Sequence, residues 1–132
     1  MYIQYKTDTI PATQDIIDLY DNAVLKRPTE DPERIARMYA HSNLVVSAWD
    51  GDKLIGVARS LTDHCFCCYL SDLAVNKDYQ AAGVGRQLVA LTREAIGPQT
   101  MLLLLSVPTA MTYYPKIGMT KLDNAFYFPR KE

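Results

Sequence analysis

Residues 80–86 read Gln80-Ala81-Ala82-Gly83-Val84-Gly85-Arg86 and stand between a strand-like run ending at Val75 and a helical repeat beginning at Val84. The first N–H groups of a helix have no intrahelical partner and point outward, and the helix dipole adds partial positive charge. Small residues let a diphosphate approach that backbone, whereas a large side chain at Gly83 or Gly85 would block it. Arg86 can add a charged contact. The stretch therefore predicts a phosphate-bearing ligand. It is not a P-loop, because Gly-x4-Gly-Lys-Ser/Thr spacing is absent, nor a dinucleotide fingerprint, because a third glycine would have to stand at Leu88.

The run before the turn extends from Cys65 to Val75, and its apolar phase shifts. Phe66, Cys68 and Leu70 are even-numbered, Leu73 and Val75 odd-numbered. A strict period of two cannot hold both sets on one face, which predicts a bulge near Ser71-Asp72. After the turn, Val84, Leu88, Leu91, Ala95 and Ile96 form the inward face of a helix that Gly97-Pro98 ends. Met101 to Leu105 is apolar on both phases, as in a strand covered on both sides. Strand, helix and buried strand in that order make a right-handed crossover and a parallel pair. A short helix from Thr109 to Tyr114, a loop with Gly118 and a last strand around Ala125 to Phe128 complete the reading.

Upstream, Tyr2, Ile3 and Tyr5 mark a first strand. Ile16, Ile17, Leu19, Tyr20, Ala23 and Val24 recur at helical spacing, with Lys26-Arg27 closing the helix and Pro28 stopping it. Asp31-Pro32-Glu33 reads as N-cap, first-turn proline and first-turn acid of a second helix carrying Ile35, Met38 and Tyr39. Leu44 to Trp49 and Leu54 to Leu61 form a hairpin about Asp50-Gly51-Asp52. The expected fold is α/β: one domain over residues 1–132, with a mixed, mostly antiparallel sheet, one parallel crossover and a bulged strand near Ser71-Asp72.

Composition narrows the function. The chain has 132 residues, 48% of them hydrophobic, enough for one self-sufficient core and too few for separate cofactor and substrate domains. A formal net charge of −1, with no cationic run, argues against a nucleic-acid partner. The longest apolar run, Met101 to Leu105, is far short of the roughly 20 residues of a membrane helix. The first residues lack the basic and apolar pattern of a signal peptide. The expectation is a soluble cytoplasmic protein with no membrane partner. Cys65, Cys67 and Cys68 beside His64 are read as small apolar residues of a buried strand rather than a metal site, because no second Cys pair completes a tetrahedron.

Gln-x-x-Gly-x-Gly after a bulged strand resembles the coenzyme A loop of the GCN5-related N-acetyltransferase (GNAT) family. Ala110-Met111-Thr112-Tyr113-Tyr114-Pro115-Lys116-Ile117-Gly118-Met119 resembles that family's Ala-x-x-Phe-Tyr-x-x-x-Gly-Phe segment, just after the apolar strand. Asp72-Leu73-Ala74-Val75 resembles the strand that precedes the family's loop. The order of elements matches over essentially the whole chain. Two positions depart: Val107, followed by Pro108, stands where many members carry a cofactor-contacting Asn, and Met119 replaces the closing aromatic.

The resemblance implies transfer of an acetyl group from acetyl-CoA to an amine by direct attack on the thioester, with no metal. It assigns cofactor contacts to Leu73, Ala74 and Val75, to Gln80, Ala81, Ala82, Gly83, Val84, Gly85 and Arg86, and to Ala110, Tyr114 and Lys116. Val107 puts one further contact in question. Tyr114 becomes the general acid toward the departing thiolate, and its neighbour Tyr113 packs into the core. An amine of pKa about 10 is mostly protonated at neutral pH and needs a proton acceptor. Asp72 is the candidate base, with His64 and a water relay as alternatives. The acceptor is a small-molecule or peptide amine, chosen by the two early helices and the loop from Lys26 to Pro32. A homodimer accords with the family. Two other readings stand beside this one: a non-catalytic acyl-CoA-binding module, and an acetyltransferase acting on a protein amine.

Overall fold

Apolar runs in the strands and helical spacing in between sort the chain into helices on both faces of one sheet. The computed structural model describes residues 2–132. Strands β1 (Gln4–Lys6), β2 (Leu44–Asp50), β3 (Lys53–Thr62), β4 (Cys67–Val75) and β5 (Met101–Leu103) lie side by side in chain order. The first three pairings are antiparallel and β4 with β5 is parallel. Helices α1 (Thr13–Ala23) and α2 (Pro32–Ala40) follow β1, α3 (Val84–Ile96) makes the crossover, and one-turn α4 (Tyr113–Lys116) follows β5.

Each face of the sheet has its own core. Ile16, Ile17, Leu19 and Tyr20 of α1 and Ile35 and Tyr39 of α2 pack on Val45, Trp49, Leu54 and Val57. On the other face, Val84, Leu88, Val89 and Ile96 of α3 pack on Val46, Ala48, Ile55, Ala58 and Leu70. Each such aliphatic side chain contributes about 1.5–3 kcal/mol by leaving water. Because both faces are covered, β2 and β3 are buried almost throughout rather than on alternate residues.

The local signals act as read at α2, where the Asp31 carboxylate accepts the Arg34 N–H at 3.1 Å and Pro32 opens the helix. They fail at the end of α1. The expected helix runs through Val24 to Lys26-Arg27, but it stops at Ala23 because Val24 takes the left-handed conformation, φ 57°. A β-branched residue is seldom found there. Its consequence is positional: Arg27 is released from helix geometry and turns toward β4.

Five other expectations are corrected. The inward face of α3 carries Val89 and Thr92, while Ala95 is exposed. Cys65 and Cys67 are exposed and only Cys68 is buried. The helix expected over Thr109–Tyr114 divides into a 3₁₀ turn, Pro108–Ala110, and α4. The strand expected at Met101–Leu105 ends at Leu103, with Met101 and Leu105 exposed, so it is not covered on both sides. Its outer edge is bare because Ala125–Phe128, read as a last strand, joins no sheet.

Candidate functional site

The site begins where two strands part. β4 and β5 pair only over Cys67–Tyr69 and Met101–Leu103. From Leu70 to Val75, β4 continues against β3 alone, while the chain beyond β5 diverges. An antiparallel ladder turns every other N–H and C=O to the far side, so this half of β4 offers unpaired backbone groups to the gap. A cleft of about 360 Å³ opens there, between Leu70, Ser71, Leu73, Ala74 and Val75 on one wall and Leu104, Leu105 and Val107 on the other. Ala23, Val24, Leu25 and Arg27 close one end; Gln80, Gly85, Thr109, Ala110, Tyr113 and Tyr114 complete the lining.

The bulge lies where the phase shift placed it. Arg59 faces Asp72 and Ser60 faces Leu70, leaving Ser71 without a partner on β3. Its polar groups are held instead by arginines. Arg27 Nη2 donates to the Ser71 carbonyl at 2.8 Å, and Arg59 Nη2 donates to Ser71 Oγ at 2.9 Å.

The extra residue turns Asp72 away from the cleft into the core, where it is 0% exposed. Its Oδ1 accepts Arg27 Nε and its Oδ2 accepts Arg59 Nε, both at 2.7 Å. Tyr20 also donates to Oδ2 at 2.7 Å. A phenol has one hydrogen, so Tyr39, bonded to the Tyr20 oxygen, is the donor in that pair. Burial alone would raise the Asp72 pKa, but the hydrogen bond and charge of Arg59, the charge of Arg27 and the Tyr20 bond outweigh it and hold the carboxyl below its usual range. Burial pushes both phenols up. Asp72, the candidate base of the sequence, thus lies in the core rather than in the cleft wall, saturated with donors. His64 is also out of place. It is exposed in the β3–β4 loop with φ 59°, roughly 20 Å along the strand from the bulge.

At the other end of β4, Gly83 takes φ 74° and no side chain caps α3. The first helical bond there is Gln87 N–H to the Gly83 carbonyl at 3.1 Å, which leaves the N–H groups of Val84, Gly85 and Arg86 without intrahelical acceptors. No acidic residue lies in that first turn, and Arg86 is exposed on it. This is an anion-accepting helix start. Gly85 matters for a different reason: a Cβ there would meet the Tyr113 hydroxyl at 2.7 Å and displace that ring.

Tyr113 is half-buried in the cleft wall, not packed in the core as the sequence suggests. Its ring meets Tyr114 edge-on, centroids 5.3 Å apart. Burial raises both phenol pKa values; the Tyr113 shift is opposed by the charge of Arg86, the Tyr114 shift is reinforced by Tyr113. Both hydroxyls thus keep their protons through neutral pH. Of the residues assigned to the cofactor from sequence, Leu73, Ala74, Val75, Gln80, Gly85, Ala110 and Tyr114 line the cleft. Ala81, Ala82, Gly83, Val84 and Arg86 form the adjoining turn, and Lys116 is exposed on α4 outside the lining. Val24, Leu25, Arg27 and Tyr113 were not assigned to it. A buried aspartate demands cations, but nothing in the local sequence says that Arg27 supplies one.

A splayed parallel pair, a bulge before it and an uncapped helix start beside it match a known family. The model for the acetyltransferase (GNAT) domain matches residues 17–129. The chain belongs to the GNAT family. Among GNAT relatives, the uncharacterized N-acetyltransferase ycf52 of Porphyra purpurea is 25% identical over 118 residues, 80% of this chain and 65% of that protein. The chain thus spans 65% of the length of that curated relative. A probable acetyltransferase from methicillin-resistant Staphylococcus aureus superposes with a TM-score of 0.83 at 23% identity, covering 98% of this chain and 100% of the other. An aminoglycoside acetyltransferase from a soil metagenome superposes at 0.73 and 18% identity, covering 99% and 97%. These superpositions bear on fold. They bear out the mixed, mostly antiparallel sheet with one parallel pair that the sequence predicts.

Proposed function

We propose that this chain transfers an acetyl group from acetyl-CoA to an amine, using the cleft between β4 and the segment after β5. The observation that carries the reading is the adjacency of three parts: unpaired β4 backbone, an uncapped α3 start and a protonated Tyr114 in one wall. The diphosphate sits on the N–H groups of Val84, Gly85 and Arg86, reached across the Ala81-Ala82-Gly83 turn, with the Arg86 side chain beside it. The pantetheine arm runs along Leu73, Ala74 and Val75; the outward N–H groups of Leu73 and Val75 hold it and polarise the thioester carbonyl, while the Ala74 N–H faces β3. Gln80 and Ala110 bound the arm, and Lys116 stands toward the 3′-phosphate.

The amine nitrogen attacks the carbonyl carbon; the C–N bond forms and the C–S bond breaks. The thiolate takes the proton of the Tyr114 hydroxyl. The amine's proton leaves through water, because the arginines hold Asp72 and His64 lies far from the cleft. The Ala23–Leu25 end of the cleft is where the acceptor enters, which sets acceptor choice in the segment between the two early helices.

Titration calorimetry with CoA, ATP and NAD tests the ligand: CoA binds and the other two do not. Thiol release from acetyl-CoA across a panel of small amines and amine-bearing peptides tests transfer. CoA binding with no thiol release from any acceptor would leave a binding module and contradict the transfer reading.

A further inference from the structure

The acceptor end of the cleft carries a positive charge that no carboxylate in its lining cancels. Arg27 and Arg59 share one carboxylate, Asp72, and the phenols of Tyr20 and Tyr39 beside it keep their protons because burial raises both. Two guanidiniums against one carboxylate leave a surplus positive charge. Arg59 is buried and turned toward Ser42 and Ser71. Arg27 is the partner that meets the cleft: its side chain is 25% exposed and lines the gap. Among the described residues it is the only charged side chain in that lining, since Tyr113 and Tyr114 stay protonated.

Arg27 also has donors to spare. A guanidinium offers five N–H groups. Its Nε–H goes to Asp72, one Nη1–H to the Lys26 carbonyl and one Nη2–H to the Ser71 carbonyl. Two remain, one on each terminal nitrogen. A part-buried guanidinium with surplus charge and spare donors takes an anion, and a carboxylate can accept two of its N–H groups at once. The cofactor does not supply that anion. Its diphosphate belongs at the start of α3, beyond Val75, and Ser71 lies four residues back from Val75 along β4, about 13 Å at roughly 3.3 Å per residue. The thioester end of the arm is uncharged.

Resting on the acetyl-transfer reading above, we infer that the acceptor is a small amino carboxylate with an uncharged side chain, its carboxylate on Arg27 and its amine at the thioester. The Leu73 N–H assigned to the thioester lies two residues, about 7 Å, beyond the Ser71 carbonyl that Arg27 holds. That spacing sets amine and carboxylate close together, as in an amino acid. Ala23, Val24 and Leu25 beside Arg27 offer apolar contact to the side chain. A polyamine fits poorly, because its further cations meet Arg27 and find no carboxylate in the lining. The carboxylate takes no part in the bond changes: C–N forms, C–S breaks, and it leaves with the amide product.

Two comparisons on the unaltered chain test this. In turnover, leucine is set against isoamylamine, which lacks the carboxylate and is the more basic amine, and against leucinamide, which masks it and is the less basic. Leucine gives a kcat/KM about tenfold or more above both, so amine basicity cannot account for the preference. In calorimetry with CoA present, N-acetylleucine binds about tenfold or more tightly than N-isoamylacetamide, which differs from it only by the carboxylate. Arg27→Gln abolishes both preferences and leaves Asp72 matched by Arg59 alone. If that variant does not fold, the two ligand comparisons still decide. Equal use of leucine and isoamylamine would overturn the proposal, as would better use of spermidine or of a carboxyl-blocked peptide. So would N-acetylleucine binding no tighter than its carboxylate-free counterpart. Thiol release from no amine at all would contradict the transfer reading instead; the calorimetric comparison needs no chemistry and still decides whether the cleft takes a carboxylate.

Discussion

Arg27 Nε donates to Asp72 Oδ1 at 2.7 Å, joining the segment after α1 to a bulge 45 positions later. Arg59 holds the other carboxylate oxygen from β3, so one buried anion ties three elements together beneath the cleft. Removing one partner of such a group strands the others. Asp72→Asn keeps the shape but leaves Arg59 buried without its counter-charge, and costs about 3–5 kcal/mol in urea unfolding. A base would behave otherwise, losing turnover at unchanged stability.

The same carboxylate sets an acid limit. Its folded pKa is depressed, so its contribution is fully present above the unfolded carboxylate value and is lost as pH falls through the folded one. Stability measured by denaturant from pH 7 downward stays level to about pH 4 and then declines. In Asp72→Asn the decline is shallower, since the titrating group is gone. An equally steep decline in the variant would assign the acid limb to other groups.

Val24 stores strain at the cleft's end. A left-handed β-branched residue costs about 1–2 kcal/mol, and glycine relieves that while giving back part of it in unfolded-state entropy. Val24→Gly therefore raises stability by about 0.5–1 kcal/mol, read as a higher denaturation midpoint with unchanged slope. A loss of stability would mean that the side chain, though exposed, packs productively.

Gly85 separates cofactor binding from folding. An added methyl meets only the far end of Tyr113, which can swing aside, so Gly85→Ala changes stability by less than about 1 kcal/mol. The displaced ring enters the cleft, and acetyl-CoA affinity falls roughly tenfold, about 1.4 kcal/mol. Calorimetry and urea melts on one sample separate the two effects.

Much of this was legible in the sequence where the determinant is local. The bulge followed from a phase change among Leu70, Leu73 and Val75, and α2 from Asp31-Pro32. The turn at Gly83 followed from residue size alone. What escaped depends on distant partners. Asp72 reads as a polar residue in a strand until Arg27 and Arg59 are brought to it. Val24 continues an apolar helical repeat, and only its backbone reveals the break. Ala125–Phe128 has strand propensity, but propensity does not name the edge a strand pairs with.

The central claim is that Tyr114 protonates the thiolate leaving acetyl-CoA in the β4–β5 cleft. Steady-state turnover of Tyr114→Phe, with acetyl-CoA affinity measured alongside by calorimetry, tests it most directly. The account gives a fall in kcat of about 10²-fold or more with affinity nearly unchanged, because the ring stays and only the proton is lost. Unchanged turnover would contradict it and remove Tyr114 from the acid role.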